Sequence, residues 1–177
     1  MGLLEKIRTS FGWTPDAPAP AQAIFATRRD VVYAPLSGVV VSAGLLGEGY
    51  GILPVGDGVL YAPCDCRVGA TTVTNHAIGL ATADGIELLI HIGIGTVDMN
   101  GKGFERFVES NDEVRAGDPL IRFDRAAIEA AGHEDVVVVA VSNGDDFDAV
   151  DRIGESGTLL GGRPLVKLGD PLLAVRR

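Results

Sequence analysis

From about Ile24 onward the chain alternates short apolar runs with breaks at Gly, Asp, Asn or Pro. Residues 31–33, 38–42, 51–54, 59–62, 68–71, 78–81 and 86–94 read as strands, and so do 120–123, 136–141, 157–160, 164–167 and 172–175. Turn signals separate them, as in Gly56-Asp57-Gly58, Ala83-Asp84-Gly85, Ala116-Gly117-Asp118 and Leu168-Gly169-Asp170. Many short strands with frequent turns predict an all-β fold, an antiparallel β-sandwich or barrel. Helical pattern is sparse: 104–109 fits a short turn of helix. Residues 124–131 fit a better one, with Asp124 as N-cap and Gly132 as stop. Two echoes suggest a duplicated β-unit. Tyr33-Ala34-Pro35 repeats as Tyr61-Ala62-Pro63, and Arg115-Ala116-Gly117-Asp118-Pro119-Leu120 resembles Lys167-Leu168-Gly169-Asp170-Pro171-Leu172.

The first residues form a separate unit. Leu3, Leu4, Ile7 and Phe11 recur at helical spacing with Glu5, Lys6 and Arg8 between them, and Gly12 and Pro15 would end such a helix. The Ala/Pro-rich stretch from Pro15 to Ala23 reads as a linker. Residues 1–23 are thus expected to be an amphipathic tail and linker, and 24–177 the globular domain. Two placements of the tail stay open: against its own domain, or in weak contact with an anionic membrane surface through residues 1–12. With Lys at position 6, the Met-Gly start is a poor acylation signal.

Composition narrows the function classes. The 177 residues carry a dispersed net charge of −9, which argues against nucleic-acid binding. No apolar run is long enough to span a bilayer, and no secretory signal is legible. A cytoplasmic protein is expected, with a peripheral place at the inner face of the membrane open to it through the tail. The two cysteines, Cys64 and Cys66, are badly placed to bridge each other on one strand and are expected to be reduced thiols.

Candidate chemistry centres on two histidines. His91 interrupts the run Leu88-Leu89-Ile90-His91-Ile92-Gly93-Ile94-Gly95. Strand alternation puts Leu88, Ile90, Ile92 and Ile94 toward a core, and Glu87, Leu89, His91, Gly93 and Gly95 on the other face. Two glycines on that face leave room above the imidazole. His76 lies in Thr74-Asn75-His76-Ala77, and His133, in Gly132-His133-Glu134, reads as a solvated loop residue. A neutral imidazole suits metal ligation, acid–base work or covalent carriage of a phosphoryl group. Metal is poorly supported within the chain, which has no His-Glu-x-x-His, His-x-His or Cys-x-x-Cys. A zinc at His76 and His91 completed by a partner's carboxylate stays open. Gly-x-Ser-x-Gly, a Walker-type phosphate loop and a dinucleotide fingerprint are all missing, so no cofactor is expected.

At these residues the chain resembles the glucose-type enzyme IIA phosphocarrier of the bacterial phosphoenolpyruvate-dependent sugar phosphotransferase system. The matching segments run in order over roughly residues 30–175. They are Ala34-Pro35-Leu36-Ser37-Gly38, Gly47-Glu48-Gly49 leading to Pro54, Ala62-Pro63 and Thr74-Asn75-His76-Ala77. Then follow Gly85 through Ile94, Thr96-Val97, Gly101-Lys102-Gly103-Phe104, Val114 with Gly117-Asp118, Phe123-Asp124 and Val141-Ser142-Asn143. Residues 1–7 also resemble the tail of free-standing members.

The resemblance implies a histidine phosphocarrier. His91 accepts a phosphoryl group on Nε2 from the carrier HPr and passes it to a cysteine of an enzyme IIB domain. His76 supports the phosphoryl oxygens, Thr74 orients His76, and the Gly93 carbonyl holds the Nδ1–H of His91. Two departures stand out. The stretch between Gly38 and Gly47 is shorter than usual, and Gly95 stands where many members have Asp. A docking rim is expected from Val73, Ile78, Leu89 and Ile92 or their neighbours. The departures motivate one alternative, a regulatory binding module with impaired relay. Another is a zinc-dependent hydrolase, since related β-folds serve some metallopeptidases. Sugar specificity is not legible in a carrier that never touches the sugar.

Overall fold

The computed structural model describes residues 17–41, 49–154 and 159–177. The expected tail helix at 1–12, and residues 42–48 of the shortened segment, lie outside the described residues.

Antiparallel strands dominate, as the alternation predicts. A nine-stranded sheet has the order β13 (Leu159–Leu160), β14 (Arg163–Val166), β2 (Gly38–Val41), β3 (Gly49–Pro54), β11 (Val137–Val141), β7 (Glu87–Ile92), β6 (Ala77–Ala81), β5 (Cys66–Thr71) and β9 (Glu113–Val114). Two three-stranded sheets accompany it. One runs β1 (Val31–Tyr33), β15 (Pro171–Arg176), β12 (Ala149–Arg152); the other runs β4 (Val59–Tyr61), β10 (Pro119–Phe123), β8 (Phe104–Arg106). A single main core joins all three. Ile52, Leu88, Ile90, Ile92, Val137 and Val139 from the large sheet meet Leu120 and Ile121 of β10 and Leu172, Leu173 and Val175 of β15. Burying such side chains contributes about 1.5–3 kcal/mol each.

The echoed motifs form matching hydrogen-bonded corners. The Ala34 N–H donates to the Asp170 carbonyl at 2.7 Å, and the Ala62 N–H donates to that of Asp118 at 2.8 Å. In return the Gly169 N–H donates to Ala34 O at 3.0 Å, and the Gly117 N–H to Ala62 O at 2.9 Å. Tyr33 N–H reaches Pro63 O and Tyr61 N–H reaches Pro35 O, so the two Tyr-Ala-Pro strands are cross-linked. In each turn the aspartate carboxylate accepts a backbone N–H three residues back, Arg115 to Asp118 at 2.8 Å and Lys167 to Asp170 at 2.7 Å. The duplication read in the sequence is therefore a duplication of structure. Ala21 and Gln22, inside the stretch read as linker, are bound to one of these turns. The Ala21 N–H donates to Gly117 O at 2.8 Å, and the Gln22 side-chain amide bonds to Asp118.

The helix α1 (Arg125–Ala130) forms as expected. Asp124 caps it by accepting the Ala127 N–H at 3.0 Å, and Gly132 follows with φ +82°. The expected helical turn at 104–109 does not form: Phe104–Arg106 is β8, and 107–109 is irregular. Glu105 faces Arg122 across the β8–β10 pair, and the two side chains form a 2.8 Å ion pair. Ile94 also departs from its expected core position and is 46% exposed. Strand β7 ends at Ile92, and Gly93 at φ +73° breaks the period-two alternation before Ile94 is reached. No helix among the described residues is long and apolar enough to cross a membrane.

Candidate functional site

Strands β6 and β7 pair with Ala77 opposite His91, while Val138 of β11 flanks His91 on the other side. Directly paired residues share a face. The outward face around His91 therefore carries the small Ala77 and Gly79 on one side and Val138 and Ala140 on the other. His91 is half-buried. The opposite faces of the same strands bury Ile78, Leu80, Leu88 and Ile90, which fixes the register.

His76 precedes β6, and its carbonyl accepts the Ile92 N–H at 2.7 Å. The turn before it is closed by Asn75 N–H to Thr72 O at 3.1 Å, with Asn75 at φ +57°. This bend lays the His76 ring over that of His91: the centroids are 4.8 Å apart with the planes at 75°. His76 is buried, and its Nδ1 lies 2.5 Å from the Thr74 hydroxyl oxygen. Burial, and secondarily the neighbouring His91, hold the His76 imidazole below the usual histidine range. Nδ1–H of His91 donates to the Gly93 carbonyl at 2.7 Å. That bond commits the proton to Nδ1 and leaves the lone pair on Nε2.

The Gly93 carbonyl is itself fixed. Gly93 N–H donates to Val136 O at 2.8 Å, and the fully buried Thr96 hydroxyl donates to Ile92 O at 2.6 Å. A Cβ at Gly93 would lie 2.3 Å from Thr96 Cγ2 and 2.9 Å from Glu134 O, at a φ of +73°. Only glycine fits this corner.

All four residues expected from the sequence, Thr74, His76, His91 and Gly93, are thus brought together. The expected rim is partly different. Val73, at 99% exposure, and Leu89 are exposed, but Ile78 and Ile92 are buried in the core, because they lie on the inward face of their strands. Ile94 and Val97 are the exposed apolar neighbours instead. His133 is not a solvated loop residue. Its side chain is 18% exposed, it covers Gly95, and its Nε2 lies 3.7 Å from an Asp98 carboxylate oxygen. No sequence spacing signals this contact, because it joins distant segments through a glycine.

Among the described residues no three His, Cys, Asp or Glu side chains gather to hold a metal. The histidine pair offers two nitrogen donors where a zinc takes four ligands in all. Cys64 and Cys66 are free and buried. A hydrogen bond with Cys64, followed by burial, pushes the Cys66 thiol far up, which keeps it protonated and unreactive. A groove of about 810 Å³ lined by Leu36, Val59, Tyr61, Phe104 and Phe123 contains neither histidine.

A protein-family model described as "phosphoenolpyruvate-dependent sugar phosphotransferase system, EIIA 1" matches residues 31–147, a span that holds all four site residues. The "PTS system beta-glucoside-specific EIIBCA component" of Dickeya chrysanthemi is 39% identical over 153 residues. The match covers 81% of this chain and 24% of that protein, so this chain spans about a quarter of that relative's length. The "PTS system glucose-specific EIIA component" of Staphylococcus epidermidis is 38% identical over 129 residues, covering 67% of this chain and 77% of that one. Among solved structures, the glucose permease IIA from Mycoplasma capricolum superposes with a TM-score of 0.62 at 26% identity, covering 81% of this chain and 93% of that one.

Proposed function

This chain belongs to the EIIA 1 family of the phosphoenolpyruvate-dependent sugar phosphotransferase system, a phosphoryl relay serving sugar uptake, and from that premise we propose that His91 is its phosphoacceptor. The donor is the phosphohistidine of HPr, and the recipient is the cysteine of an enzyme IIB domain. The observation that carries this reading is the Nδ1–H of His91 held on the Gly93 carbonyl at 2.7 Å, which leaves Nε2 as the nucleophile.

In acceptance, the Nε2 lone pair forms a bond to phosphorus. The donor's P–N bond breaks, and its electron pair returns to the donor imidazole. The His91 ring keeps its Nδ1 proton, and the Gly93 carbonyl oxygen stabilises the positive charge that the ring takes on. In donation the IIB thiolate attacks phosphorus, and His91 leaves as the neutral imidazole it was before. Loose phosphoryl transfer of this kind needs positioning and charge stabilisation more than covalent machinery.

His76 answers the new charge. It is neutral at rest, because burial and His91 disfavour its imidazolium. A phosphoryl group beside it reverses that preference and draws N–H donation from its Nε2, with the Thr74 hydroxyl holding Nδ1. The exposed Val73, Leu89, Ile94 and Val97 form the surface on which both protein partners dock.

The relay unit is residues 24–177 in the cytoplasm, with Ala21 and Gln22 tied to its Gly117–Asp118 turn, and the sequence of residues 1–12 suits either packing on the domain or weak contact with an anionic membrane face. Incubation with enzyme I, HPr and phosphoenolpyruvate tests the assignment. The expected result is an acid-labile, base-stable label that disappears in His91→Ala. A label undiminished in that variant contradicts it.

A further inference from the structure

Strand β8 ends at Arg106, whose guanidinium runs from the small sheet to the turn that carries His76. One terminal N–H donates to the Glu109 carboxylate at 2.9 Å, and the other donates to the Thr72 carbonyl at 3.4 Å. The side chain is 18% exposed, and its buried Nε has no hydrogen-bond partner among the described residues. Such a group is expensive to bury, so a position that retains it suggests a task beyond packing.

Thr72 is where that task acts. Its carbonyl takes both the Arg106 N–H and the Asn75 N–H that closes the turn. Its hydroxyl bridges forward to the backbone N–H and carbonyl of Ala77, each at 3.3 Å. Thr72 therefore ties together both ends of the segment that presents Thr74 and His76. Asn75 holds a left-handed conformation at φ +57°, which costs energy unless the surroundings fix it.

We propose that Arg106 is a positioning residue for phosphoryl transfer. Through the Thr72 carbonyl it fixes the turn in which the Thr74 hydroxyl meets His76 Nδ1 and the His76 ring stands against His91. The inference rests on the reading of His91 as phosphoacceptor.

Three variants test it: Arg106→Met, Arg106→Lys and Glu109→Gln. Each is assayed for His91 labelling, for transfer to an enzyme IIB domain, and for the His76 titration by NMR. Arg106→Met should label at His91 but lose about tenfold in onward transfer. Its His76 imidazole should titrate closer to the ordinary histidine value. Arg106→Lys should recover part of the transfer, since an ammonium can still reach the carbonyl. Glu109→Gln changes a largely exposed side chain that anchors the guanidinium, and should lose about threefold in the same direction. Unchanged transfer and an unchanged His76 titration in folded Arg106→Met would overturn the inference. If that protein does not fold, the same null result in Glu109→Gln overturns it. Failure of the unsubstituted protein to label at His91 strikes the functional reading instead.

Discussion

Burial, reinforced by the ring of His91, holds His76 neutral at pH values where an unfolded chain's histidine would take up a proton. Its folded pKa is lowered from the ordinary value of 6.5. As pH falls through 6.5 toward that lower value, the unfolded state binds a proton that the folded state does not, so stability declines. The decline contributed by this residue is at most about 1.4 kcal/mol per pH unit and fades out above about pH 7.5. His76→Gln should remove that contribution, so the stability difference between variant and parent should change sign-consistently in the variant's favour as pH drops. Urea unfolding between about pH 5 and 7.5 checks this; parallel curves for the two proteins would contradict it. The same variant should accept a phosphoryl group on His91 and pass it on slowly.

At the scale of elements, the corner that follows β7 governs the tautomer of His91. An alanine at Gly93 would have to hold φ +73° and press its Cβ into Thr96. Gly93→Ala should cost about 2 kcal/mol or more in stability, and should slow His91 labelling because the carbonyl holding Nδ1–H must shift. Denaturant titration and labelling rate together check it; unchanged values for both would contradict the corner's role.

The capped helix after Asp124 and most strands were legible, since each carries its own local chemistry. Strand β8 was not. Phe104, Phe107 and Val108 mimic helical spacing, and the pairing that overrides it comes from Arg122, distant in sequence. Strand β12 was missed because Ala149–Arg152 is half-exposed and lacks a clean apolar alternation. Ile94 was misplaced because alternation was carried through a glycine whose left-handed backbone resets it. The gathering of Thr74, His76, His91 and Gly93 was expected through the family resemblance alone. The support from Arg106 was not, since an arginine after Gly-Phe-Glu gives no signal of what its side chain meets across a turn.

Across the whole molecule, the duplicated Tyr-Ala-Pro and Gly-Asp-Pro corners brace the sheets against one another, while the histidines stand on the outward face of the large sheet. That division gives the histidine pair a braced base and an exposed, partly apolar surround. It also separates stability from specificity. The corners are closed by backbone bonds internal to the domain, whereas the exposed apolar residues near the histidines are Leu89 on β7 and Val73, Ile94 and Val97 in the turns beside it.

The most direct measurement is the position of the phosphoryl group itself, read from phosphorus–nitrogen coupling in protein carrying ¹⁵N-labelled histidine and phosphorylated through HPr. Coupling to Nε2 of His91, with Nδ1 of that ring still protonated onto the Gly93 carbonyl, is the predicted result. A phosphoryl group on His76, on Nδ1 of His91, or on neither ring would contradict it.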